Sequence, residues 1–219
     1  MDPEQQKIIE IIAGAVEQKL AGEGSGHDWW HIVRVRKMAK HIAKSEGANN
    51  FVVELAALLH DIADWKFHAG DDTVGPQIAR DILEKHSAPA ETIGHVCDII
   101  AKMSFKGAGV KTGMKTLEGK VVQDADRLDA IGAIGVARTF AYGGHKNRLM
   151  YDPNKQPAMH QSQEEYFESE SPTINHFYEK LLLLKDRMNT KAAQELAEGR
   201  HQFMEEYLAR FLQEWDGKI

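Results

Sequence analysis

Two histidines and two aspartates in this chain are of the types that bind divalent metals. His60 and Asp61 are adjacent and follow the apolar run VVELAALL, while His31 lies in HDWWHIVRV and Asp126 in VVQDADRLDAIGAIG. Burying polar side chains without partners is costly, so a His-Asp pair after an apolar run needs an explanation. Alone, the pair is equally well explained as a polar helix cap. With His31 and Asp126 it is a mixed nitrogen and oxygen donor set, which suits a first-row divalent ion with positions open for water.

Helices must position these side chains, because apolar residues recur at helical spacing through nearly the whole sequence. Asp28 is the expected N-cap of a helix over about 29–46, and FVVELAALLHDIA is apolar nearly all round, which predicts a central helix. Thr116 is the expected cap of one long helix over 117–142. Further helices are predicted over about 8–20, 74–86, 90–103, 172–188 and 190–215. The sequence lacks strand-like alternation of useful length, so the predicted fold is an all-α bundle of about eight helices.

Length and composition favour one large globular domain. The chain has 219 residues and is 42% hydrophobic, enough to bury a sizeable core. We expect a single domain over 1–219, with a metal-binding core at about 27–140 and C-terminal helices within 162–215 packing on it.

The overall charge argues against some partners. A formal net charge of -6 disfavours a nucleic acid polymer as the ligand, because phosphate backbones are repelled on average. A single cysteine, Cys97, allows no disulfide within the chain and fits a reducing cytoplasm. The apolar N-terminal stretch carries charges, so neither a signal peptide nor a membrane span is predicted.

The ordered pattern H…HD…D, formed by His31, His60-Asp61 and Asp126, resembles the HD-domain phosphohydrolase superfamily. The flanking segments HDWWHIVRV, LLHDIADWKF, MSFKG and DADRLDAIGAIGVAR are similar to its small bacterial YpgQ/YedJ-type group. The resemblance implies an all-α fold, a bound divalent metal, and hydrolysis of phosphate esters or anhydrides. It also implies that His31, His60, Asp61 and Asp126 are the metal ligands.

Proton transfer is assigned to acids beside the ion. Asp64 follows Asp61 by three residues, so a continuing helix would return it to the same edge. HD hydrolases of the nucleotidase and alarmone types carry an acid at this position, and the resemblance implies Asp64 and Asp61 as catalytic residues. The alternative for Asp64 is a structural acid near a helix C-terminus.

Substrate contacts are assigned to charged residues near the ligands. Arg34 lies one turn after His31 and is a candidate phosphate ligand, with a surface ion pair as the alternative. Lys66 follows Asp64, and Lys106 lies in the glycine-rich segment 104–116, which is equally explained as a solvated loop. His27 precedes His31 by four residues and either binds substrate or is an ordinary loop histidine.

The segment DADRLDA leaves its acids open to more than one assignment. Asp129 is assigned to a substrate hydroxyl or to support of the ligands, and its role is exchangeable with that of Asp126. Asp124 is expected to be solvated or capping. The tryptophans, including Trp30, are expected in the core or in a pocket wall.

The expected cofactor is one divalent ion, with Mn favoured over Mg, Fe, Co or Ni. A second metal recruited by His95 is the alternative. The subgroup resemblance points to a nucleoside (deoxy)triphosphate cleaved to monophosphate and pyrophosphate. A nucleoside monophosphate phosphatase and a non-catalytic metal or nucleotide sensor are the rivals. The expected partner is a small nucleotide or phosphoester, and a homodimer is compatible with the sequence.

Overall fold

The structure is a computed structural model that describes residues 1–22, 28–63, 73–103, 113–159, 165 and 171–219. Within these ranges every regular element is a helix, which confirms the all-α prediction. The α-helices are α1 (Pro3–Lys19), α2 (Trp29–Glu46), α3 (Asn50–Leu59), α4 (Val74–Lys85), α5 (Ala90–Lys102), α6 (Leu117–Asp129), α7 (Gly132–His145), α8 (Asn175–Glu179) and α9 (Lys191–Trp215), with 3₁₀ turns at Leu181–Leu183 and Lys185–Arg187.

The described residues form two compact units that divide within α6, after Ala125. The first unit holds α1 to α5 and most of α6. Its centre is α3, where all residues from Phe51 to Leu59 are buried. This helix packs against α1, α2 and α5, and α4 packs against α5. The apolar character of α3 on every face explains its central place.

A short connection joins α2 to α3. Gly47 ends α2 in the left-handed conformation with φ 77°, and the Asn49 side chain caps α3 by accepting a bond from the amide of Phe51. This termination and this cap follow common helix-end chemistry. The two helices are therefore adjacent antiparallel partners, and the start of α2 lies beside the end of α3.

The second unit holds the end of α6 and the helices α7 to α9. Here α9 packs against α7 and against the 3₁₀ turn at 185–187. Phe177 is fully buried, and its ring stacks on that of Tyr207 with centroids 6.0 Å apart. Phe140 contacts both rings, so an aromatic cluster forms the core of this unit.

Two of the predicted helices are wrong in extent. The predicted helix over 117–142 is broken, because Ile131 is extended and Gly132 takes a left-handed φ of 76°. The predicted helix over 172–188 is helical only at Asn175–Glu179. Lys180 leaves helical geometry with φ -142°, and the buried Leu181 and Leu184 then follow at the three-residue spacing of a 3₁₀ turn.

No helix in the described ranges is both long and apolar enough to cross a membrane. A single domain over 1–219 stays a prediction.

Candidate metal centre

The start of α2 places His31. The Asp28 side chain accepts a hydrogen bond of 2.8 Å from the backbone amide of His31, which confirms Asp28 as the N-cap. This cap fixes the first turn of the helix. The imidazole of His31 is fully buried, so it needs polar partners.

The end of α3 places His60 and Asp61. His60 is the residue directly after the helix and is 9% exposed. Its Nδ1 lies 2.9 Å from the carbonyl oxygen of Ala57, so Nδ1–H donates to that oxygen. In the neutral imidazole, this bond leaves the lone pair on Nε2. Metal-binding histidines are commonly oriented by such a bond from the other ring nitrogen.

Three donor atoms from α2 and the end of α3 converge. Nε2 of His31 lies 3.2 Å from Nε2 of His60 and 3.2 Å from Oδ2 of Asp61. Nε2 of His60 lies 3.7 Å from the same carboxylate oxygen. The imidazole rings meet edge to face at 67° with centroids 5.2 Å apart. Two ring nitrogens and one carboxylate oxygen therefore point toward a common position.

The spacing of these donors fits a shared cation. Two lone pairs 3.2 Å apart repel unless a proton or a metal ion lies between them. Metal–nitrogen bonds of roughly 2.1 Å place two ligand nitrogens about 3.0 Å apart at a right angle and about 3.4 Å apart at a tetrahedral angle. The observed nitrogen separation of 3.2 Å lies between these values. The donor set of imidazole and carboxylate suits Mn, Fe, Co, Ni or Zn.

Asp126 is carried to this centre by α6. One ligand atom from each of His31, His60 and Asp126 lies within 4.8 Å of the others. Asp126 directly follows Ala125 on the continuous helix α6, so its position is set by that helix. His95, the alternative recruit for a second metal, instead lies 2.9 Å from the hydroxyl of Thr116.

Of the other predicted site residues, Arg34 and Asp129 lie within the described ranges and the rest lie outside them. Arg34 is half-buried on α2, one turn after His31. Asp129 is treated below with its own unit. The remaining predictions fall outside the described residues, and they concern His27, Asp64, Lys66 and Lys106.

Asp129 lies in a basic corner of the second unit. It is 5% exposed, and one of its oxygens lies 2.8 Å from the guanidinium of Arg138. Burial lowers the pKa of Arg200 below its ordinary value, and the charge of Asp129 opposes that shift. Both guanidinium groups stay protonated at neutral pH. Asp129 is thus a buried acid matched by cations of its own unit.

Several residues differ from what the sequence suggested. Asp124 was expected to be solvated or capping, but it is fully buried. Trp30 and Trp215, expected in the core or in a pocket wall, are 64% and 48% exposed, so neither is a core residue. Glu54 drew no prediction and is fully buried in α3. The signal for Glu54 was present, since a single acid interrupts the apolar run VVELAALL.

Comparison with known proteins identifies the family of this chain. Residues 29–131 match the HD domain family. YpgQ of Bacillus subtilis is 41% identical over 205 residues, which cover 92% of this chain and 91% of that protein.

Solved structures give the same result. The structure of an HD-superfamily hydrolase from Bacillus thuringiensis is 47% identical with a TM-score of 0.74, covering 97% of this chain and 98% of that chain. The structure of Bacillus subtilis YpgQ in complex with ADP is 39% identical with a TM-score of 0.72, covering 94% of this chain and 96% of that chain.

The chain belongs to the HD-domain family. It is an HD-type metal-dependent phosphohydrolase, as the family match and the hydrolase among its structural relatives indicate.

Proposed function

We propose that this enzyme hydrolyses a nucleoside (deoxy)triphosphate to the monophosphate and pyrophosphate, using one divalent ion with Mn favoured. The observation that carries the proposal is the convergence of donors from His31, His60 and Asp61 at 3.2 to 3.7 Å, because such a centre activates water toward phosphorus. The ADP bound to its relative YpgQ supports a nucleotide substrate.

Four residues hold the ion in this proposal, and they are His31, His60, Asp61 and Asp126. When bound, the ion acidifies water and polarises a phosphoryl oxygen. The tautomer of His60, set by the carbonyl of Ala57, keeps its Nε2 lone pair available at the centre. The buried position of His31 excludes bulk water from one side, which strengthens electrostatic contacts there.

The remaining roles concern protons and phosphate. Asp64 moves a proton in this proposal, and Asp61 is the second acid assigned to catalysis. Arg34, Lys66 and Lys106 offset negative charge on the phosphate chain. His27 is assigned to substrate positioning. The contact between Asp129 and Arg138 makes direct contact with a substrate hydroxyl the less favoured of the two roles predicted for Asp129.

Trp30 supports a nucleotide over a simple phosphoester. Its indole is 64% exposed and directly precedes His31 on α2. An exposed aromatic ring offers a stacking surface for a base, worth about 1–3 kcal/mol per base by alanine substitution. We therefore assign Trp30 to contact with the nucleobase.

The decisive experiment is a panel of nucleotides and phosphoesters with Mn or Mg, with products separated by chromatography. Pyrophosphate from a nucleoside triphosphate supports the proposal. Orthophosphate from a nucleoside monophosphate would instead indicate the nucleotidase alternative. Metal retention without any product would indicate a sensor.

Trp30→Ala sharpens the same experiment. We expect KM to rise about tenfold for nucleoside triphosphates and to stay unchanged for inorganic tripolyphosphate, which has no base. Trp215→Ala is the matched control, because Trp215 is also exposed, at 48%, and lies at the far end of α9. An equal rise in KM for tripolyphosphate would contradict the proposed contact between Trp30 and the base.

The cellular location is proposed to be cytoplasmic. Cys97 is a buried free thiol whose hydrogen is donated to the carbonyl of Pro76 at 3.3 Å. A free thiol of this kind suits a reducing compartment.

A further inference from the structure

A buried ion cluster links the two helices that carry the histidines of the centre. Glu54 on α3 is fully buried, and its Oε2 accepts a bond of 2.8 Å from Nε of Arg36 on α2. The NH2 group of Arg36 lies 2.6 Å from the same oxygen. Nζ of Lys40, also on α2, lies 3.1 Å from Oε1. One carboxylate on α3 therefore faces two cations on α2.

The position of this cluster along the helix pair allows it to affect the geometry of the metal centre. The short connection near Gly47 joins α2 and α3 at one end, and His31 and His60 meet at the other. Glu54 lies between these ends, about 9 Å along the helix from His60 at 1.5 Å per residue. Interdigitated apolar side chains already limit the register of the two helices, and the carboxylate beside two cations adds an ionic constraint on it.

We propose that Glu54, together with Arg36 and Lys40, is a positioning residue that fixes the register of α2 against α3 and so holds His31 and His60 at metal-binding distance. The inference rests on the proposed role of both histidines as metal ligands. Buried ion pairs seldom add net stability over well-packed apolar residues, but they can specify a single arrangement. A shift of α2 by a fraction of a turn would separate the two Nε2 atoms, which are now 3.2 Å apart.

Two variants distinguish an effect on the register of α2 against α3 from an effect on the stability of the protein. Glu54→Gln removes the buried negative charge and leaves two cations unmatched, so both stability and Mn affinity should fall. The triple variant R36M/K40M/E54L replaces the cluster by apolar groups and should regain stability. Its affinity for Mn should stay at least tenfold below that of the parent, because apolar groups do not reproduce the directional bond between Arg36 and Glu54.

The readout is Mn binding to the metal-free protein by titration calorimetry, alongside urea unfolding and amide hydrogen exchange of α2 and α3. Glu179→Gln is the matched control, since Glu179 is a buried acid, 3% exposed, that accepts a bond of 2.7 Å from Ser171 within the second unit. It should lower stability and leave Mn affinity within twofold of the parent.

A triple variant with parental Mn affinity would overturn the proposal, as would Glu54→Gln with parental affinity. If the triple variant does not fold, Glu54→Asp carries the test. This variant keeps the charge but withdraws it by one methylene. We expect its affinity for Mn to fall at least threefold, and an unchanged affinity would overturn the proposal. These measurements need no nucleotide, so a failed hydrolysis panel with the affinity pattern intact would reject the proposed function alone.

Discussion

Asp61 in the first unit and Asp129 in the second have opposite surroundings. In the first, Asp61 and two imidazoles lie within 3.7 Å of one another, so electron-pair donors face each other. In the second, Asp129 faces the guanidinium of Arg138 at 2.8 Å. A buried acid with matched cations is satisfied by the protein itself. A cluster of lone-pair donors suits a bound cation, so this arrangement is the better indicator of ligand binding.

The largest expected effect is at the centre. His60→Ala should abolish metal retention and lower turnover by at least about 100-fold, because even residues that only orient a ligand cost 10–100-fold. Metal content of the purified variant and its rate on the best substrate are the measurements. His41→Ala is the control, since His41 is an exposed histidine on the same helix as His31. Full metal content in His60→Ala would contradict the role of His60 as a metal ligand.

Asp129 should respond in the opposite manner. Asp129→Asn leaves Arg138 and Arg200 without their shared counter-charge and should cost about 3 kcal/mol of unfolding free energy. Urea denaturation measures this loss, and metal content should match that of the parent. A loss below about 0.5 kcal/mol combined with loss of metal would place Asp129 with the ligands and reverse the contrast.

The backbone of the basic corner gives a smaller effect. A Cβ on Gly132 would lie 3.0 Å from the Arg200 side chain, at a residue with φ 76°. Gly132→Ala should therefore cost about 1–2 kcal/mol. Gly144→Ala is the matched control on the same helix, because no atom lies within 4 Å of its added Cβ, and helix propensity should make it neutral or slightly stabilising. Equal thermal midpoints for the two variants would contradict this account.

Cys97 extends the comparison to a buried group that stays neutral. Burial raises the pKa of its thiol above the ordinary value of 9.0, with Arg80 opposing. The raised folded-state pKa means that the contribution of Cys97 to stability is complete below about pH 9. It is lost as the pH rises through the folded-state value.

The expected outcome is a steeper fall of unfolding free energy above pH 9 in the parent than in Cys97→Ala. Alkylation of the folded protein at pH 8 should also be at least about tenfold slower than in urea, because the thiolate is the reactive form. Identical pH dependence of the unfolding free energy in parent and variant would contradict this prediction.

Sequence reasoning succeeded where residue type decides the outcome. The apolar run before His60 predicted a central helix, and Asp28 was predicted as a cap from its type and place. The Thr116 hydroxyl likewise accepts a bond from the amide of Gly119 at the start of α6, as expected of a cap. The donor types predicted a metal centre, although the roles of the residues between 64 and 72 and between 104 and 112 stay predictions.

Sequence reasoning failed where tertiary contacts override local pattern. The segment LDAIGAIG keeps helical spacing of apolar residues, yet packing of Arg200 against Gly132 accompanies a break in the helix there. Asp124 is of a charged residue type, so its complete burial depends on packing that no local pattern encodes. The exposure of Trp30 has the same cause, because a large apolar side chain predicts burial only on average.

The end of α3 has a consequence for how the chain can vary. The carbonyl of Ala57 receives the imidazole hydrogen of His60, whereas in a longer helix that oxygen would receive the amide of Asp61, four residues on. Extension of the helix by a single turn would therefore bring a second donor, the amide of Asp61, to the oxygen that now accepts from the ring. The residue at which α3 ends therefore matters for the chemistry of the centre, because it affects which nitrogen of His60 keeps its lone pair.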